Sequence, residues 1–335
     1  MKNIKCLGLI LTGVPLVMFL VGIGCENSPT DQGPLWTKYW TVVYESKQTL
    51  HQIQFVGPDE AWIVGGYSIV HYINGNFNTV NIPPSIYSTP GYEFIRASFS
   101  DQNHGWLIGV GTILGGSAVI YRYIDGVWEE IPPLGNPNAP FYYDVKALSS
   151  NSVWVVGDNI WHFDGVNWNA VISMEGLIPK RLYFQNENDG YLTVEVGMIA
   201  GGVLHWDGNT WMFVFSSNEI QPRAIAFDNQ GNGFMVTWSV GGIYSVDDWQ
   251  PIESSQYFAA FTDIASNSSG DIWAVGQSTL STPCNVLAHW NGISWHYERT
   301  IPTTEFHSLF VKEDGEVWST VHTDETSSIA VLNIN

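Results

Sequence analysis

Residues 271–297 read DIWAVGQSTLSTPCNVLAHWNGISWHY, and every part of this stretch recurs along the chain. A short apolar run starts on Trp273 and ends at Gly276. A second run ends in His289-Trp290. Asn291-Gly292 follows, and two residues later comes Trp295. Short apolar runs rich in aromatic and β-branched residues suit half-buried strands, and Asx-Gly pairs suit tight turns.

The aromatic that starts such a run is found at Trp62, Trp106, Trp154, Tyr191, Phe234, Trp273 and Trp318, at intervals of 44, 48, 37, 43, 39 and 45 residues. A period of about 40–45 residues built from short strands marks a propeller blade. Tyr191 and Phe234 replace Trp in the fourth and fifth units. Each run is preceded by a polar turn, and each turn by another apolar run, as in HQIQFV, VKALS and TDIAS. The second half of the unit recurs as IVHYINGNF, VIYRYIDGVW, IWHFDGVNW, VLHWDGNTW, IYSVDDW and LAHWNGISW. Five of these six turns carry Asn-Gly or Asp-Gly, which tolerate positive φ at both central positions and predict type I′ hairpins. Each unit is thus four antiparallel strands, a to d from the axis outward.

The ends of the chain complete the count. The last unit supplies strands a, b and c, finishing in SSIAVLNIN, and has no fourth strand of its own. At the front, YWTVVY at residues 39–44 resembles the d strands that follow Trp168 and Trp211. The expected fold is all-β: a seven-bladed β-propeller over residues 38–335, closed by pairing of the N-terminal strand with the C-terminal blade. Such closure leaves no open edge in the circle.

Composition agrees. Charged residues make up 13% and aromatic residues 14%, with 16 Trp and 33 Gly. No long stretch after residue 26 has apolar residues at helical spacing. With Lys2 and Lys5 set aside, 10 basic residues stand against 32 acids, a formal charge of −22. That argues against nucleic acid, whose phosphates need a basic surface. It also argues against adhesion of the domain surface to an anionic bilayer. Self-repulsion favours solubility.

Residues 1–25, MKNIKCLGLILTGVPLVMFLVGIGC, carry Lys2 and Lys5 and then 20 uncharged residues. This pattern is an export signal rather than part of the fold. Its end, LVGIGC, resembles a bacterial lipobox. The resemblance implies that Cys25 becomes the lipidated first residue of the mature protein. Ile23 and Gly24 match the motif, and Gly22 stands where Leu is usual. An uncleaved membrane span and a plain secretory signal are the alternatives. Residues 26–37 begin with ENSPTDQG, polar and broken by Pro and Gly as a tether should be. Glu26 stands where, by resemblance to Gram-negative lipoproteins, Asp would favour inner-membrane retention. The expected location is the cell envelope, outside the cytoplasm. With Cys6 removed and Cys25 acylated only Cys284 remains, so neither an internal disulfide nor a Cys-rich metal site is expected.

The run DIWAVG with HWNGISW resembles the repeats of extracytoplasmic bacterial propeller lipoproteins, and the likeness covers nearly all of residues 38–335. It is specific for fold and weak for function, since propellers host many activities. Sialidase-like propellers carry S-x-D-x-G-x-T-W boxes. The nearest segment, residues 207–211 (DGNTW), lacks the Ser and the residue between Asp and Gly.

In a propeller the d–a and b–c connections share the face around the channel mouth, and loops on a rigid frame are where binding sits. Tyr87, Tyr92, Tyr142, Tyr143 and Tyr257 lie in such loops, placed either to stack on a ligand or to pack the loops down. Near the start of strand a, successive units carry His51, Arg96, Lys146, Arg181, Arg223, Asp263 and His307. This register holds four of the ten basic residues of the mature chain. It predicts a ring at the channel mouth that binds an anion, such as a carboxylate on a sugar or peptide. Alternation along the strand would instead turn some of them sideways, into ion pairs between blades. The repeated His71, His162, His205 and His289 occupy the same place in separate blades and cannot converge on one metal ion. There is no Gly-rich phosphate loop, His-x-x-x-His or G-x-S-x-G, and no cofactor is expected. The favoured function is a lipid-anchored binding or scaffold propeller for an envelope or extracellular protein or glycan. The alternative is a hydrolase or lyase on an acidic glycan, using carboxylates such as Glu93, Glu175, Glu219, Asp263 or Glu305.

Overall fold

The computed structural model describes residues 40–86, 91–111, 118–135, 141–238, 242–252, 259–278, 285–300, 305–323 and 326–332. The expected leader, Cys25 and tether lie outside these residues, as do Tyr87, Tyr257 and Cys284. The strands form seven antiparallel sheets, and no helix occurs among the described residues. The inner strands are Gln52–Gly57, Tyr92–Asp101, Asp144–Ser149, Ile178–Asn186, Pro222–Phe227, Ala259–Ser266 and Glu305–Val311. Each contacts the next, and the last contacts the first, which closes a ring of seven blades around an axis.

Closure follows the expected route. The strand Trp40–Ser46 pairs antiparallel with Ser327–Leu332, so the seventh blade takes its outermost strand from the front of the chain. Trp40 is buried and packs on Phe306, with ring centroids 5.1 Å apart.

The repeated aromatics meet across blade interfaces. Trp62 of the first blade lies flat on Phe99 of the second (5.1 Å, 8°) and edge-on to Trp128 (5.7 Å, 86°). Trp154 meets Phe184 and Trp211 of the fourth blade in the same way. Phe234 meets Trp295, and Trp318 meets Phe55 of the first blade. Large flat rings fill the wedge between radial sheets, each stabilising by about 1.5–3 kcal/mol through burial.

The repeated histidines are fixed inside their own blades. His71, His162 and His289 stack on Trp62, Trp154 and Trp273, with centroids 4.1, 4.2 and 3.9 Å apart. Nε2 of His71, His205 and His289 bonds Glu60, Asp189 and Asp271 at 2.8, 2.9 and 2.9 Å. His162 finds Ser152 Oγ at 3.2 Å.

Two expectations are corrected. The fifth blade is a three-stranded sheet, with a fourth segment reduced to one bridge, Tyr244 to Pro251. Its turn has no Gly, so Trp249 takes φ +57, and Pro251 has no N–H to donate. The Asx-Gly turns are of two kinds. Asn74-Gly75 and Asp125-Gly126 have positive φ at both positions, as a type I′ turn needs. At Gly165, Gly208 and Gly292 only the glycine does. Those three loops have four residues between the paired positions, where the first two have two. Asp164, Asp207 and Asn291 turn inward there, and each Oδ1 accepts N–H bonds from the residues two and three positions on.

Candidate functional site

The inner strands carry a β-bulge where they enter the channel. In the second, fourth, fifth, sixth and seventh blades the pairing with strand b skips Ile95, Lys180, Arg223, Thr262 and His307. In the first and third blades the N–H of His51 and of Tyr143 joins Gln52 and Asp144 opposite a single residue, Val64 or Val156. A bulge puts two residues where the ladder allows one and re-aims a side chain. The glycine of the W-x-V-G motif accommodates this approach. A Cβ on Gly65, Gly157 or Gly276 would lie 1.9, 2.1 or 2.3 Å from the carbonyl oxygen of Thr49, Phe141 or Ala260, at or just before the start of the inner strand.

The seven residues expected in one ring therefore stand at three levels. The bulge level, at the mouth, holds His51, Lys180, Arg223, Thr262 and His307. The next level holds Gln52, Arg96, Asp144, Arg181 and Asp263. Lys146 lies one level deeper, beside Gln54 and Ser98. Two cavities match this sorting. An outer one of about 240 Å³ is lined by the charged mouth residues with Arg96, Arg181 and Trp238. An inner one of about 190 Å³ is lined by Arg96, Asp144, Lys146, Arg181 and Asp263 among others. Arg96 and Arg181 line both and so mark the division.

The second level is also where neighbouring blades are tied. Gln52 Oε1, Asp144 Oδ2 and Asp263 Oδ2 accept the backbone N–H of Ala97, Leu182 and Leu309 on the next blade, at 2.7, 2.7 and 2.8 Å. Asp263 is thus the acid of the register because an acceptor is needed there. Arg96 and Arg181 have no acceptor to offer. Arg96 Nη1 donates to Ile95 O at 2.6 Å, and its Nε lies 3.9 Å from Asp144 Oδ1. Burial raises the carboxyls of Asp144 and Asp263 to about 6, against the opposing pull of Arg96.

At the mouth, Glu195 is buried between two cations, with Lys180 Nζ at 2.6 Å and Arg223 Nη1 at 3.2 Å. Arg223 also stacks over Trp238 at 4.8 Å, and its Nε is buried without a hydrogen-bond partner among the described residues. Arg181 donates from Nη1 to Lys180 O at 3.0 Å and makes no ion pair among the described residues. On the far side, His307 stacks on His322 with centroids 3.8 Å apart. Burial, together with the nearby cations, lowers His51 and His307 to about 4, so both are neutral at pH 7.

The tyrosines separate. Tyr142 is fully buried in the core, and its hydroxyl accepts the N–H of Leu134 at 2.7 Å. Of the two placements open to it, Tyr142 takes the one that packs its loop down. Tyr92 packs on Phe94 and its hydroxyl holds Ser85 N. Tyr143 is half-buried against Phe141, and burial raises its phenol with help from Glu195. Lys180, Glu195, Asp144 and Trp238 belong to the site and were not expected from the sequence. The glycine inside strand b was the available signal, because a glycine there marks a bulge or close backbone approach.

No family profile and no curated protein matches the sequence. Solved structures do match in shape. A structure described as YCF48 bound to D1 peptide superposes with a TM-score of 0.67 at 18% identity, over 91% of this chain and 98% of that one. YCF48 from Cyanidioschyzon merolae gives 0.63 at 16%, over 88% and 99%. The WD40 β-propeller domain of Doa1 gives 0.55 at 12%, over 87% and 96%. What these proteins share with this chain is the propeller fold at nearly its full length.

Proposed function

We propose that this chain is a lipid-anchored extracytoplasmic propeller that binds a protein or glycan partner at its channel mouth through an anionic group. One observation carries the reading. On a chain with a formal charge of −20, the mouth gathers Lys180, Arg181 and Arg223, of which Lys180 and Arg223 pair with the buried Glu195 and Arg181 with no acid among the described residues. Arg181 is left for a planar carboxylate, and Arg223 is held in place by the Trp238 ring. A structure of the same fold and comparable length, described as bound to a peptide, favours a polypeptide over a sugar. The lipid anchor rests on the LVGIGC resemblance.

The test is an array of acidic and neutral peptides beside uronic- and sialic-acid oligosaccharides. Arg181→Ala and Arg223→Ala should each weaken binding of the acidic probes by about tenfold or more, the usual worth of a charged hydrogen bond. Unchanged binding in both variants moves the site elsewhere. Cys25→Ser should abolish labelling by radioactive fatty acid, and persistent labelling would refute the anchor.

The hydrolase reading has less support. Asp263 is bonded to Leu309 N, and Glu305 is exposed beside His307 at 3.7 Å. Turnover of a uronic- or sialic-acid glycan, lost on mutating either acid, would revive it.

A further inference from the structure

The inner cavity poses its own question. It lies past Arg96 and Arg181 and is walled by three cations, Arg96, Lys146 and Arg181, and two acids, Asp144 and Asp263. The acids are already engaged. Each gives one oxygen to a backbone N–H of the next blade, and Arg96 approaches Asp144. The two remaining cations have no close partner, and Lys146 feels Asp144 only at longer range. Neither Lys146 nor Arg181 makes an ion pair among the described residues, and Lys146 makes no hydrogen bond there. Charge withdrawn from bulk water without a partner is costly, and proteins avoid it by pairing or by neutralisation. Burial holds the Lys146 ammonium below the usual lysine value, with Asp144 opposing, which is the response of a cation short of anionic partners. The space also sets a size. About 190 Å³ leaves room for one ion of four or five heavy atoms together with several waters.

We infer that the inner chamber is a binding site for a small oxyanion, held between Lys146 and Arg181. Its chemistry is that of inorganic phosphate or a short carboxylate. Its deeper residue, Lys146, takes no part in the partner site at the mouth, which uses Arg223 and Arg181, and the chamber binds its ion whether or not that site binds a partner. Arg181 faces both cavities, so an ion in the chamber draws on the same guanidinium that serves the mouth.

Thermal unfolding of the purified protein at fixed ionic strength tests this, with inorganic phosphate and acetate as probes against chloride. At least one of the two should raise Tm saturably by a few degrees, as a ligand bound only by the folded state does. Lys146→Met should fold, shown by an unchanged circular dichroism spectrum, with a Tm at or above that of the wild type in chloride, and should lose the anion response. Arg181→Gln should reduce the response at least tenfold in apparent affinity. Arg223→Gln, altered only at the mouth, should keep it. Absence of any response in the wild type overturns the proposal and leaves a water-filled chamber. Loss in Arg223→Gln with retention in Lys146→Met overturns it in favour of the mouth.

Discussion

The imidazole of His289 lies flat on the indole of Trp273, centroids 3.9 Å apart and planes 10° apart, while its Nε2 meets Asp271 Oδ1 at 2.9 Å. The same acid–aromatic–histidine unit occurs with Glu60, Trp62 and His71. In each, the histidine locks the third strand of a blade to the second. His289→Ala should therefore destabilise by about 1–2 kcal/mol, from the lost stacking and hydrogen bond. Asp271→Asn keeps an acceptor oxygen and should cost less than about 0.5 kcal/mol. Urea unfolding of the two variants checks the ordering.

Trp40 fills in the seventh blade the interface position that Trp295 fills in the sixth. Both are buried aromatics opening an outermost strand, and Trp40 borders Trp273 in the core between those blades. Trp40→Ala should cost about 3–5 kcal/mol, the range for a large aromatic removed from a core. Limited proteolysis should then cut first within Trp40–Ser46. Cleavage that begins elsewhere would show that the strand is not what holds the ring shut.

The channel contains two opposing titrations. Asp144 and Asp263 protonate near pH 6 when folded and near 4 when unfolded, so the native state holds more protons between those values. Their contribution is full below about pH 4 and is lost as pH rises through 6. His51 and His307 protonate near 4 when folded and near 6.5 when unfolded. Theirs is full above about pH 6.5 and is lost as pH falls through 4. The two sets offset each other across this window. Asp144→Asn with Asp263→Asn should make Tm fall on acidification from pH 6.5 to 4.5, and His51→Gln with His307→Gln should make it rise. Parallel profiles in both double variants would refute the assignment.

The two kinds of hairpin should be sensitive to different substitutions. Asn291 adopts no positive φ but accepts two N–H bonds, so Asn291→Asp should be close to neutral. Asn291→Ala should cost about 0.5–1.5 kcal/mol. Asn74, at φ +48, needs a residue that tolerates the left-handed region, so Asn74→Gly should be neutral or stabilising. Chemical denaturation of the three variants separates backbone conformation from side-chain bonding as the source of turn stability.

The blade count, the closure and the inter-blade aromatics were legible because each is written many times. A ring of similar units repeats Trp62, Trp154 and Trp273 in one structural place, and repetition averages out local ambiguity. The site was legible only in part. Strand alternation assigns one residue in two to a face, and the bulge at Lys180 and Arg223 breaks that count by one. Arg181 and Arg223 thus fell into one register in the sequence and into adjacent levels in the channel. Lys180 was missed for the same reason, since a neighbour of Arg181 should face away. The short fourth segment of the fifth blade was signalled by the missing glycine before Trp249, but the five regular turns masked it.

The ring also fixes an order in time. Trp40–Ser46 is made early, yet its partner Ser327–Leu332 lies almost 290 residues later. At about 5–20 residues per second, that partner follows some tens of seconds afterwards. Throughout this interval Val42, Val43 and Tyr44 form an apolar strand with its ladder bonds unmade. Contacts of such sequence separation form slowly even in the finished chain. The last joint of the circle is therefore the first piece of the domain to be synthesised, and it must be kept from pairing with anything else until the end arrives.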